Sequence, residues 1–441
     1  MQVPNLKIAV YLPNEGIKSI RLSNPEEGNP GIGGTQFLLF SLPHYIHKYF
    51  KDYFEFIYIV NNSDNIITNF KLSLAKDLSE AAFKANEEQC DLLIFRPSDD
   101  VETMNFIKII EVLKLKTVAW LHTTPKFMLQ HISNCKYVIR CIAVGRDQYE
   151  TLRDHPIINK LSLINNAVDS SKIPFYNGIK MKSVVFMGSL TFAKGFHILA
   201  KMWYKIQRHH PDAELIVIGS GKLYDRNFIY GSMGLADEKY ERLFKRYVVD
   251  DSGNLKKSIK FMGIMGPEKY ELMGQASVGI ANHPGLRETF CLGAVEFQLC
   301  GTPVVSSYYG GLIDTVKNNL SGFLRNSEKK RYKSILKLLS DPDLSSKMGN
   351  TGRKVSGEMF NYQDITKEWR KLFSDLKDGN QAIVLKLDPH NDNKINLLRE
   401  YLRILKTKSS IFRILLPSIY IIHTMEYLRL HIEKFRYQIH L

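Results

Sequence analysis

His283-Pro284-Gly285-Leu286-Arg287-Glu288-Thr289-Phe290-Cys291-Leu292-Gly293-Ala294-Val295-Glu296-Phe297-Gln298-Leu299-Cys300-Gly301-Thr302-Pro303-Val304-Val305 is the stretch on which the fold turns. The apolar run Val278–Ala281 ends just before it, a proline–glycine loop follows, and a helix is expected to begin near Thr289. That helix stops at Gly301, and Pro303 leads into a second apolar run, Pro303–Ser306. Strand, loop, helix and strand in this order form the repeating unit of a parallel α/β sheet.

The same alternation extends through the chain. Upstream, strands are predicted at Lys7–Leu12, Phe54–Val60, Asp91–Phe95, Thr117–Leu121, Cys141–Val144 and Leu161–Ile164. The second half adds Ser183–Met187, Glu214–Ile218, Ile259–Met262 and Gly322–Phe323 to the two runs above. Each half thus holds enough strands for one doubly wound sheet. The polar stretch Asp169-Ser170-Ser171-Lys172-Ile173-Pro174 separates them. Such sheets bind ligands beyond the carboxyl ends of their strands, so two facing sheets predict one deep cleft.

Composition narrows the class. The 441 residues are 44% hydrophobic and 24% charged, ordinary for a globular protein of two domains. Five scattered cysteines, with no metal-ligand spacing, argue for a reducing compartment and against a disulfide framework. The run Ile8–Leu12 is too short for a secretory segment, and no stretch approaches the ~20 apolar residues that span a bilayer. The expected location is cytoplasmic, or peripheral on the inner face of the cytoplasmic membrane. A formal charge of +15 suits phosphorylated ligands or anionic lipid. Nucleic acid is not expected, since zinc spacing, an RNA-binding aromatic signature and an Arg-rich arm are all missing.

Two carboxylates stand out in the opening stretch. Glu288 falls in the loop before the helix, and Glu296 falls within it, among Val295, Phe297 and Leu299. A carboxylate in such surroundings needs a partner, and ribose hydroxyls fit, because the ionised group accepts two hydrogen bonds side by side. The helix N-terminus, with free N–H groups and partial positive charge, suits a diphosphate. A solvated surface glutamate is the plain alternative for Glu296.

Glu288 and Glu296, eight positions apart, followed by Cys300–Val305 and Gly310-Gly311, resemble the E-x7-E region of family 4 (group 1) retaining glycosyltransferases with the GT-B fold. Val184–Leu190 with Lys194-Gly195, Ile218–Gly221, Asn166–Asp169 and Gly31–Thr35 resemble other family segments in the family's order. The resemblance covers about residues 7 to 378. It implies an acceptor-side Rossmann-like domain over 1–173 and a nucleotide-sugar-binding domain over 174–357. A helix over 358–378 would then cross back to the first domain.

The resemblance also implies roles. Lys194 neutralises the donor diphosphate, where charge builds on the leaving group. Glu296 holds the ribose and Glu288 accepts hydrogen bonds from the donor sugar, with the amides of Thr289 and Phe290 close to sugar and phosphates. His122 contacts the transferred sugar, though a lone histidine after a strand is often structural, as His283 is expected to be. Gly33, Gly34, Gly188 and Gly219 let main chain approach the ligands. Ser189 stands where the family often has arginine, Arg287 being a possible substitute, and Cys291 replaces a usual glycine. The implied reaction is transfer with retention, the leaving diphosphate helping to deprotonate the acceptor on the same face. No cofactor is implied: the nucleotide sugar is the substrate, and Asp341-Pro342-Asp343 reads as a helix cap rather than a metal site.

Beyond the family pattern, residues 379–441 form a basic helical extension. From 394 on it carries nine Lys/Arg against three Glu, with apolar residues at helical spacing (Leu397, Leu398, Tyr401, Leu402, Leu405, then Ile411, Leu415, Ile419 and Ile422) interrupted by Pro417. Residues 394–441 suit an anionic membrane surface, or packing against the body of the protein, or a dimer contact. The function expected is sugar transfer from a nucleotide sugar to a saccharide or lipid-linked acceptor in surface polysaccharide or glycolipid assembly. A nucleotide-sugar epimerase of the same form, or a non-catalytic basic protein associated with membrane or nucleic acid, are the alternatives.

Overall fold

The computed structural model describes residues 6–432 apart from 52, 177, 179, 225–227, 285–287, 388–393, 409–416, 422–423, 426 and 429–431. Arg287 and the apolar positions Ile411, Leu415 and Ile422 therefore lie outside the described residues.

Thirteen strands form two parallel sheets among the described residues. The first holds β1 (Leu6–Leu12), β2 (Phe54–Val60), β3 (Lys71–Leu74), β4 (Leu92–Phe95), β5 (Thr117–Leu121), β6 (Val138–Ala143) and β7 (Leu161–Leu163), in the order β3-β2-β1-β4-β5-β6-β7. The second holds β8 (Met181–Met187), β9 (Glu214–Ile218), β10 (Ile259–Gly263), β11 (Ala276–Ala281), β12 (Val304–Ser306) and β13 (Gly322–Leu324), ordered β10-β9-β8-β11-β12-β13. Each is a doubly wound sheet whose strand order reverses once, between β1 and β4 and between β8 and β11.

Helices cover both faces, so alternate strand residues enter different cores. Ile8, Val10 and Leu12 point to the side of helices Gly34–Phe50 and Tyr362–Lys377. Ala9 and Tyr11 point to the side of helices Leu78–Glu87 and Val101–Leu113. In the second sheet Val184 and Phe186 pack on Phe196, Trp203 and Phe244. Helix Tyr362–Lys377 returns to the first sheet: Trp369 meets Trp120 edge-on at 4.9 Å, and Tyr362 stacks on Tyr45 at 3.6 Å. Tyr45 also donates to Asp169 at 2.7 Å, tying the interdomain segment to the same helix face.

The strand expectations hold apart from two details, and one helix begins later than expected. β3 was not anticipated, because Lys71-Leu72-Ser73-Leu74 is a short, half-exposed edge strand with no apolar run. β6 begins at Val138 rather than Cys141, its pattern disguised by Arg140, a buried cation whose Nη2 donates to the Asn380 carbonyl at 2.6 Å. The helix of the opening stretch spans Leu292–Leu299, not from Thr289. Cys291, at φ 71°, turns the chain left-handed there and holds the helix start back. Asp341 does cap helix Pro342–Met359, accepting from Leu344 N–H at 2.9 Å.

In the extension, helix Lys394–Lys408 lies on the first domain, with Arg399, Arg403 and Lys406 turned inward. Arg399 meets Asp147 at 3.1 Å, Arg403 meets Glu150 at 3.1 Å and Lys406 meets Asp154 at 2.8 Å. Ser418 donates twice to Asp154, and Ile419 is buried in the core around β4 and β5. Leu397, Tyr401 and Ile404 face solvent. No helix among the described residues is long and apolar enough to cross a membrane.

Candidate active site

Between the sheets lies a cleft of about 280 Å³, above the carboxyl ends of the strands. Lys194, Glu288 and Glu296, from three separate segments of the second half, line it together with His122, Gly34 and Thr289.

Lys194 ends the turn Phe192–Lys194 after β8, and Gly195 (φ 74°) starts helix Phe196–His209 behind it. Its Nζ lies 2.9 Å from Glu288 Oε2. That oxygen also accepts from Asn282 Nδ2 at 2.7 Å, while Oε1 accepts from Cys291 N–H at 3.0 Å. Burial opposes the ionised state of Glu288, but Lys194 and the Asn282 bond outweigh it and hold its pKa below the ordinary range. For Lys194, burial likewise pulls down, and the Glu288 carboxylate reverses this, so its pKa stands above the ordinary lysine value. The pair is ionised. The Phe290 N–H also favours the ionised Glu288 carboxylate, beside the bond from Cys291 N–H. The Phe290 side chain is buried edge-on against Phe360.

Four residues into its helix, Glu296 has a protein partner. Lys269 Nζ reaches Oε1 at 2.7 Å and Tyr270 OH donates to it at 3.1 Å, with Lys269 only 7% and Glu296 10% exposed. Glu296 is therefore no solvated surface residue. Both partners line the cleft as well.

The glycines mark close approaches. Gly188 follows β8, and its carbonyl sits where a side chain on Gly219 (φ 134°) would have to go, so these two main-chain turns cross directly. Gly33 and Gly34 face the other half: a Cβ on Gly33 would meet Tyr224 Cδ1 at 2.7 Å, and on Gly34 Leu292 Cδ1 at 2.9 Å. Ser189 is buried, its hydroxyl 3.5 Å from that of Thr191, and contributes no charge.

His122 follows β5 and stands over Trp120, ring centroids 4.3 Å apart. Its Nε2 is buried without a hydrogen-bond partner. Burial, reinforced by Arg96, lowers its pKa to about 3, so the imidazole is neutral. Its carbonyl accepts from Thr289 Oγ1 at 2.6 Å, which joins the Glu288 loop to the first domain. A second bond between the halves runs from Asp147 N–H to Asp314 Oδ2 at 2.9 Å. His283 is wholly buried, with Arg331 Nε donating to its Nε2 at 3.2 Å.

Residues 170–355 match the family of glycosyl transferases group 1. The second half of the chain thus resembles the donor-side domain of group 1 glycosyltransferases. It is 30% identical over 207 residues to a D-inositol 3-phosphate glycosyltransferase of Corynebacterium jeikeium, a match covering 46% of this chain and 45% of that protein. A glycogen synthase of Mycobacterium tuberculosis is 23% identical over 248 residues, 55% of each chain. The chain thus spans less than half the length of the first curated relatives it matches. Among solved structures, HepE of Anabaena in complex with UDP and glucose superposes with a TM-score of 0.61 at 15% identity, covering 84% of this chain and all of that one. Sucrose-phosphate synthase of Thermosynechococcus elongatus gives 0.63 at 18%, covering 85% and all of it. The architecture is the GT-B fold.

Within this cleft, sequence reasoning missed Asn282, Lys269 and Tyr270. Asn282 had a signal, since it directly follows β11 at the point where the strand order reverses. Lys269 had none, because its partner Glu296 lies 27 residues away and the pairing exists only in the fold.

Proposed function

We propose that the protein transfers a sugar, with retention of anomeric configuration, from a nucleoside-diphosphate sugar to an acceptor hydroxyl. The observation that carries this is the meeting of Lys194, Glu288 and Glu296 in one cleft at the switch point of the second sheet. Lys194 binds the diphosphate, exchanging part of its pairing with Glu288 for phosphate oxygens. Glu296 keeps Oε1 on Lys269 and Tyr270 and offers Oε2 to the ribose. Glu288, Thr289 and Phe290 form the loop against the donor sugar, His122 gives its neutral Nε2 to a sugar hydroxyl, and Gly33, Gly34, Gly188, Ser189 and Gly219 shape the walls.

In the reaction the bond from the anomeric carbon to the β-phosphate oxygen breaks, its electron pair staying on the diphosphate. The acceptor oxygen bonds the same carbon from the same face, and its proton passes to the departing phosphate. Lys194 stabilises the charge that develops there. A uridine diphosphate sugar is the donor we favour, because the HepE structure of the same fold holds UDP and glucose. A saccharide or lipid-linked acceptor of surface polysaccharide or glycolipid assembly suits this chemistry. Transfer is preferred to epimerisation because the cleft sets a cation at the leaving group and lies open between two domains. For the extension, the inward ion pairs favour packing on the body over lipid contact.

Thermal shift of the full chain with UDP, GDP, ADP, CDP and their glucose esters tests the reading, since a ligand selective for the folded state raises Tm. A rise with one nucleotide that Lys194→Ala abolishes is expected. No rise with any of them removes the proposal.

A further inference from the structure

The switch point of the first sheet has a counterpart feature that the donor reading leaves unused. Its strand order reverses between β1 and β4, and the first residue beyond β4 is Arg96. Arg96 is half-buried, its Nε is enclosed without a hydrogen-bond partner, and no carboxylate pairs with it among the described residues. Asp100 attracts it from a distance, but that carboxylate caps Thr103 N–H at 2.8 Å. Arg96 disfavours a charge on His122 of the same sheet and is itself favoured as a cation by Tyr224 of the opposite half, and both of these line the cleft. His122 Nε2 is buried and unpartnered, and so is Gln36 Oε1, beside Gly33 and Tyr224.

A cation withdrawn from water without a counter-ion is unfavourable, and unmatched polar atoms around it add to the cost. Such a group is at ease only when a ligand brings the missing charge. The guanidinium is a planar fork suited to two oxygens of one anion. We propose that Arg96 anchors an oxyanion of the acceptor, a sugar bearing a phosphate or a carboxylate, on the first-domain side of the cleft. Gln36 Oε1 takes one of its hydroxyls. This rests on the reading of the cleft as a transferase site and names the acceptor class for it.

The test titrates the full chain, with and without saturating UDP, with glucose, glucose 6-phosphate and glucuronate by calorimetry. At least one charged sugar is expected to bind about tenfold more tightly than glucose, and Arg96→Gln to erase that preference with UDP affinity intact. Preference for glucose 6-phosphate alone assigns a phosphate, and for glucuronate alone a carboxylate. Arg96→Lys, which retains charge without the fork, is expected to keep part of the preference and guards against a folding defect in the first variant. Equal or undetectable binding of all three sugars, or an undiminished preference in Arg96→Gln, overturns the proposal. Failure of UDP to bind wild-type protein speaks against the donor reading, and the titration without nucleotide still judges Arg96.

Discussion

Lys194 Nζ and Glu288 Oε2 stand 2.9 Å apart, joining residues separated by 94 positions in the chain. With Asn282 on the same oxygen, the carboxylate is held from three sides before any ligand arrives. Lys194→Ala is expected to lower transfer by roughly 100- to 1,000-fold, the usual effect of losing one group that stabilises a leaving charge. Glu288→Gln keeps the shape of the loop and should fold normally. Steady-state turnover with UDP-glucose, beside circular dichroism, checks both.

The same pair gives a pH window for stability. Glu288 titrates below its ordinary 4.5, so its contribution is present above pH 4.5 and is lost as pH falls through the lowered value. Lys194 titrates above its ordinary 10.5, so its contribution is complete below pH 10.5 and is lost as pH rises through the raised value. Urea unfolding of wild type and of Lys194→Met/Glu288→Gln should differ most between those limits and converge outside them.

Three buried histidines act in the opposite sense to a salt-bridged one. Burial lowers His122 and His197 to about 3, and His283 well below 6.5. The unfolded chain takes up these protons near pH 6.5 and the folded one does not. Stability is therefore full above pH 6.5 and falls as pH drops toward 4, by up to about 4 kcal/mol per pH unit for three protons. Denaturant titrations at pH 7, 5.5 and 4.5 measure the slope. His122→Gln should reduce it by about a third, and His122 should show no titration in proton NMR between pH 5 and 8.

Lys269 and Glu296 form a buried couple whose halves differ in consequence. Lys269→Met alone leaves a carboxylate enclosed without its cation and is expected to cost about 3–5 kcal/mol. Adding Glu296→Gln should restore most of that stability but not nucleotide affinity, because the ribose acceptor has lost its charge. Chemical unfolding and calorimetry with UDP separate the two effects.

The extension offers a fifth measurement. Arg399 and Asp147 are 4% and 8% exposed, so their ion pair should resist screening by salt. Arg399→Met is expected to lower Tm by several degrees at 0.1 M and at 1 M NaCl alike. A loss confined to low salt would mean the pair is solvated.

Much of this fold could be read from residue order, because buried parallel strands declare themselves as apolar runs. Phe54–Val60, Thr117–Leu121 and Glu214–Ile218 fall where the apolar residues place them. Lys71–Leu74 does not, being an edge strand that buries too little to need apolar residues. The cleft residues divide in the same way. Glu288, Glu296 and Lys194 carry spacing that a sequence displays. Lys269 and Arg96 matter through strand order and long-range contact, which no local window contains.

The bonds Thr289 Oγ1 to the His122 carbonyl and Asp147 N–H to the Asp314 carboxylate both run between the halves. Each is a single hydrogen bond, the kind of tie worth about 0.5–3 kcal/mol. Neither is strong alone, and the larger share of the join is the apolar cluster that runs from Ile8 and Trp120 of the first half to Phe290 and Val295 of the second. Thr289 sits next to Glu288, so its tie to the His122 carbonyl sets the loop of that carboxylate against the strand end that carries the imidazole.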